Sequence, residues 1–168
     1  MAALGALFVL LAAMFAGAWL TDRWRTTRLR AWAAAQGMTP VDVRRDGGVL
    51  LAHASTFAPR VRTVGLTFTQ TSATDALWIA EHRARTTTTR AEKWHTLVVV
   101  QLPGARLPEM KTAGLEGWPH GGDIDVADDV VRWRRTGLLW PSNAAATVTR
   151  GRELAAFVSA QRLGMVQK

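Results

Sequence analysis

The chain has no cysteine, which excludes disulfides, zinc–thiolate centres and thiol nucleophiles and fits a reducing compartment. Signatures of nucleotide chemistry are missing too. There is no Walker A loop and no Gly-x-Gly-x-x-Gly, so no phosphate cradle is expected. None of Ser55, Ser72, Ser142 and Ser159 stands in a Gly-x-Ser-x-Gly elbow, and Ser-x-x-Lys does not occur. No internal repeat is visible, which argues against solenoids and propellers. These absences leave no cofactor to expect and point away from an enzyme. The most informative absence is charge: from Ala2 to Leu20 no side chain is ionisable. Coiled as a helix, that run spans about 28 Å, close to the hydrocarbon thickness of a bilayer.

Arginines follow directly. Arg23, Arg25, Arg28 and Arg30 resist translocation, so the expected arrangement is an anchor with its amino terminus outside and the remainder in the cytoplasm. A cleaved export signal is the alternative, because Ala16-Gly17-Ala18 has the small-x-small form of a cleavage site. Against it, the residues before the apolar run carry no side-chain charge, whereas such signals begin with Lys or Arg. The whole chain holds 21 basic and 13 acidic residues, a net charge of +8, with arginine dominating the cations. A positive surface near a membrane is drawn to anionic headgroups by about 1 kcal/mol per basic residue.

The sequence divides into an anchor at 1–20, a basic amphipathic tether at 21–37 and a domain at 38–168. On a helical projection of the tether, Leu20, Trp24, Ala31, Trp32 and Ala35 share one side, with Arg23 and Arg30 opposite. Gly37 is a natural stop. The expected membrane-surface residues are Trp19, Arg23, Trp24, Arg25, Arg28 and Arg30, aromatics in the interfacial belt and arginines reaching to phosphates. Trp32 fits either the interface or a seat on the domain.

The domain reads as α+β, an antiparallel sheet followed by a C-terminal helix. Met38–Arg45 and Val49–His53 flank Asp46-Gly47-Gly48, a strong hairpin turn, and are expected as strands. In the strand expected at 62–70, Val64, Leu66 and Phe68 face one way and Thr63, Thr67 and Thr69 the other. Further strands are expected at 77–86, 94–102 and 130–135, with a threonine-rich hairpin tip at 86–93 and a glycine-rich loop at 112–122. The run Leu97-Val98-Val99-Val100 suits a strand buried on both faces. Trp133 is expected in the core with Arg132 and Arg134 outward. Pro141 marks a break, and Arg152–Leu163 closes the chain as a helix ended by Gly164.

His95-Thr96, Val98-Val99-Val100, Leu102-Pro103 and Leu107-Pro108 resemble a family of uncharacterised, actinobacterial-type single-pass membrane proteins. Trp32-Ala33 with Gly37, and Asp123-Ile124-Asp125-Val126, extend the likeness to about half of the chain. Where that family has an Asn-aromatic signature, this sequence has Val130-Val131-Arg132-Trp133. The resemblance implies a short anchor before a compact β-rich domain and brings no chemistry.

One polar cluster stands out: His120, Asp123, Asp125, Asp128 and Asp129, preceded by or enclosing Gly121-Gly122. Hard cations take several oxygens from such loops, so these five are the candidate metal ligands, although the spacing is not that of an EF-hand. The competing reading is a solvated turn whose carboxylates pair with arginines. His53, His82 and His95 carry no ligand spacing. Arg132-Trp133-Arg134-Arg135 mixes cations with an aromatic, yet no nucleic-acid-binding module is present and nucleic acid is not expected as a partner. The expected function is therefore non-catalytic: an anchored accessory or scaffold protein contacting a membrane-protein partner or the anionic bilayer. The alternative is a tethered enzyme or ligand-binding domain using the loop at 117–129.

Overall fold

The computed structural model describes residues 2–58, 61–85, 92–107, 109–112 and 115–165. In chain order the elements are α1 (Ala2–Ala35), β1 (Thr39–Pro40), α2 (Val43–Ser55), β2 (Val61–Thr71), β3 (Ala76–Arg85), β4 (Glu92–Gln101), β5 (Met110–Thr112), β6 (Asp123–Ala127), β7 (Val130–Thr136) and α3 (Pro141–Met165). The class is α+β, as the sequence implies. One seven-stranded sheet runs β1-β2-β3-β4-β7-β6-β5, and each pairing described is antiparallel. Two meanders thus meet along β4 and β7. After β4 the chain crosses to the far edge, lays down β5 and returns by two hairpins.

The sheet is covered on both faces, which is why its central strands read as apolar runs. Val98 and Val100 enter the larger core with Leu77, Ile79, Phe68, Trp133, Ile124 and, from α3, Leu154 and Val158. Leu97 and Val99 point the other way, to Ala54 of α2 with Phe57 and Trp78 around them. Gly151 lets α3 lie directly on β4: a methyl group there would come 2.5 Å from Val98 Cγ1. The core also takes Leu29 and Ala33 from α1 and Met38 just beyond it, and Trp32 packs against it. Trp32 therefore belongs to the domain, and the carboxyl-terminal third of α1 is one of the domain's own helices. From Leu4 to Trp24 the helix is solvent-exposed throughout. α1 is long and apolar enough to cross a membrane.

Several expectations need correction. The hairpin around Asp46-Gly47-Gly48 is absent; those residues lie inside α2. Leu50 and Ala54 are buried four residues apart on one face of that helix, and the sheet's second face needs a cover. Two glycines cost a helix about 1 kcal/mol each, less than burying one large aliphatic side chain and its neighbours returns. The stretch Asp123–Ala127 is a strand rather than loop, with Ile124 and Val126 in the core. β5 is a further strand that no pattern in the sequence signals. α3 begins at Pro141, not Arg152: proline suits a first helical turn, and Asn143 Oδ1 accepts from the Trp140 amide at 3.0 Å to cap it. Thr67 is buried like Phe68 because β2 bulges: Val64 faces His82 but Thr67 faces Ala80. Of the expected hairpin tip, 86–91 lie outside the described residues.

Candidate functional site

The group that binds α1 to the sheet is Glu81, 1 % exposed in the middle of β3. Arg25 Nη1 donates to Glu81 Oε1 and to the Leu139 carbonyl at 2.9 Å. The Leu139 amide donates to the same carboxylate oxygen at 2.9 Å. Arg25 Nη2 reaches Asp22 Oδ1 at 2.9 Å, one turn back along the helix. Gly65, in the β2 bulge, leaves room for this carboxylate, since a methyl there would stand 3.2 Å from Glu81 Oε2 and 3.2 Å from the Trp94 ring. Arg25, Glu81 and the loop before α3 therefore form one buried unit. Arg25, expected at the membrane surface, is 6 % exposed, and its charge is engaged by Glu81 and Asp22.

The other members of that set are exposed. Arg23 lies over the Trp19 ring at 5.2 Å and Arg28 over Trp24 at 5.9 Å, while Arg30 is open to solvent. Two aromatics from the domain join the same neighbourhood. Trp140, 37 % exposed, sits beneath Arg25 at 5.8 Å, and Trp94 carries Arg83 over its ring at 5.3 Å.

The acidic cluster is dispersed by the strand geometry. Asp123 and Asp125 share the α2-side face of β6, opposite Arg134 and Arg132 in register. Asp123 Oδ2 accepts from Arg134, and Asp125 Oδ2 from Arg132 Nη1 at 2.6 Å. Arg134 also lies over Phe57 at 5.1 Å and is buried, not outward. Asp128, at φ 54°, and Asp129 make the β6–β7 turn, whose carbonyls accept from Leu107 and Leu102 at 2.7 and 2.8 Å. His120 meets the edge of Trp118. Among the described residues no three His, Asp or Glu side chains gather as a metal site. Gly121 and Gly122 serve Trp133 instead: its indole N–H donates to the Gly121 carbonyl at 2.8 Å, and a methyl on Gly122 would lie 2.5 Å from that nitrogen. A cleft of about 200 Å³ lies beside Phe57, Lys111, Asp123 and Arg134, and a second, more open one of about 340 Å³ runs beside Met110, Lys111 and Asp125 at the β5–β6 edge.

Sequence reasoning missed a second buried group. His82 and His95 face each other across β3 and β4 with rings stacked 5.3 Å apart. Both are buried, and none of their ring nitrogens has a hydrogen-bond partner among the described residues. Burial, the adjacent His95 and Arg134 push His82 down to about 3. Burial and Arg134 likewise lower His95. His53, accepting from Arg132 Nε at 2.9 Å, is lowered by burial and by that guanidinium. All three are neutral near pH 7. The spacing of His82 and His95 in sequence carries no signal; only the register brings them together.

Compared with family models, curated proteins and solved structures, the chain matches none.

Proposed function

We propose that the protein is a single-pass, membrane-anchored accessory or scaffold subunit whose domain is held against the cytoplasmic face of the membrane. One observation carries this reading: α1 is a single helix whose first part is apolar and exposed and whose last part is locked into the domain by Arg25 and Glu81. Such continuity gives the domain a fixed height and angle above the bilayer, which suits presenting a surface to a membrane-protein partner or to anionic headgroups. A catalytic domain on a loose tether has no need of it. The exposed Arg23, Arg28 and Arg30 supply the orienting charge once Arg25 is set aside.

Two measurements test the reading. A carboxyl-terminal reporter on the intact chain is expected to report the cytoplasm, and replacing Arg23, Arg28 and Arg30 by Gln is expected to weaken that retention. A reporter that reads as exported in the unmodified protein overturns the topology. Purification in mild detergent with α1 intact is expected to bring down a membrane protein at fixed stoichiometry. Isolation of the chain alone, at every detergent tried, overturns the subunit reading.

A further inference from the structure

The register between α1 and the sheet says which part of the domain approaches the membrane. Arg25 of α1 touches Glu81 of β3, and eleven residues later the Gln36 carbonyl accepts from Gln70 Nε2 at 2.8 Å. Gln70 pairs with Leu77, four residues before Glu81 on β3. From Arg25 to Gln36 the helix advances about 16 Å, and from Glu81 back to Leu77 the strand covers about 13 Å. The two elements therefore lie alongside each other in opposite senses. As α1 is followed back toward its apolar end, β3 is followed forward toward Arg85.

The domain does not hang from the end of the helix; it lies beside it. Arg83 stands about 7 Å beyond Glu81, level with Leu20 or Thr21 of α1. Its register partner is Trp94, on the α1 side of the sheet with it. Trp140, against Arg25, completes a collar of aromatics at the height of Trp19 and Trp24. Lys93, exposed, adds a cation on the other face of β4. Of the carboxylates at this end, Asp22 and Glu81 share Arg25, and Asp123 is held by Arg134. At the opposite end of the sheet the turns carry acids, Asp75, paired with Arg152, in one and Asp128 and Asp129 in the other. Arg83 and Lys93, both exposed, thus stand at the end of the sheet that lies toward the helix's apolar segment.

We infer that the β3–β4 end of the sheet is a lipid-docking rim, in which Arg83, Lys93, Trp94 and Trp140 meet the headgroups of an anionic bilayer beside the exit of α1. Cations at this height lie within a Debye length of the phosphates, and indole rings favour the same layer. The inference rests on the reading of α1 as a membrane span.

The absence of cysteine makes a direct test clean. In the full-length chain, single spin labels are placed at Ala12→Cys in the apolar segment, Thr136→Cys at the rim and Ala73→Cys at the far turn. The protein is reconstituted in nanodiscs of phosphatidylcholine, with or without phosphatidylglycerol, doped with a nickel-chelating lipid. The label at 12 is expected to be oxygen-accessible in the hydrocarbon. The label at 136 is expected to relax several-fold faster by headgroup nickel than the label at 73. Because α1 and the domain move as one body, loss of the anionic contact is expected to let the whole unit tilt, so that relaxation at 136 falls when phosphatidylglycerol is omitted and when Arg83→Glu and Lys93→Glu are introduced together. A label at 136 as remote as that at 73, with 12 still in hydrocarbon, overturns the rim and spares the anchor. A label at 12 outside the hydrocarbon overturns both. Relaxation at 136 that is indifferent to phosphatidylglycerol in the unmodified chain overturns the selectivity for anionic lipid.

Discussion

At the scale of single residues, Glu81 is buried with one cation and one backbone amide to answer it. A buried carboxylate left without its cation is expensive, whereas an apolar pair of similar volume in place of both charges is often tolerated. Arg25→Met is therefore expected to destabilise the full-length protein in detergent by about 3–5 kcal/mol. Glu81→Leu added to Arg25→Met is expected to restore much of that loss, less whatever the Leu139 amide forfeits. Chemical denaturation of the two variants checks it; equal stability of Arg25→Met and the parent chain contradicts it. The histidines give a second expectation. His53, His82 and His95 are held below their ordinary value by burial and nearby arginines, His82 down to about 3. The unfolded chain thus binds protons that the fold refuses, and stability falls as pH drops below about 6.5. For His82 the loss continues toward about 3, at a limiting slope of about 1.4 kcal/mol per pH unit. Melting temperature measured from about pH 7 to about pH 5, above the range of ordinary carboxylates, is expected to decline. His82→Leu is expected to flatten that decline, and an unmodified chain with a level profile contradicts the assignment.

At the scale of elements, α2 shows how a local signal loses. Asp46-Gly47-Gly48 has the composition of a hairpin turn, but the chain there is helical and Gly48 has open space around its missing side chain. Gly48 also has no left-handed backbone conformation to maintain. Gly48→Ala is accordingly expected to stabilise the protein by about 0.5–1 kcal/mol, by helix propensity and by restricting the unfolded chain. In a hairpin turn the same change would destabilise, so the sign measured by thermal denaturation decides between the two folds of this segment. The opposite holds at Gly122, at φ 92° and pressed on Trp133. The Gly-Gly pairs at 47–48 and 121–122 thus look alike in sequence, yet Gly48 has open space around it and Gly122 lies against Trp133.

For the whole molecule, the boundary between the exposed apolar segment and the domain falls within α1. Leu29 and Ala33 are core residues and Arg25 holds Glu81, so the packed unit starts near Arg25 rather than at Met38. A chain beginning at Thr21 is expected to fold with a sharp transition. One beginning at Met38 loses two core side chains and exposes the partner face, and is expected to lack a cooperative transition. Circular dichroism melts of both forms check this, and a cooperative melt from Met38 onward contradicts it. The same geometry is what makes the orientation of the domain relative to the apolar segment a fixed property.

What the sequence determined alone is what depends on composition over a short window. The apolar run and its arginine flank are legible because hydropathy sums residue by residue, and β2, β3, β4 and β7 are legible from alternation or from continuous burial. The place of Trp133 in the core followed from the same alternation. Tertiary structure decided which faces needed covering and which charges met. α2 is a helix because the second face of a finished sheet requires one. Asp123 and Asp125 face arginines because β6 pairs with β7 in one register. Arg25, indistinguishable in sequence from Arg23 and Arg28, is buried because the residue that claims it lies 56 positions away on a strand brought alongside by the fold. A local pattern carries no record of a partner so distant, because the interaction exists only once the intervening strands have paired.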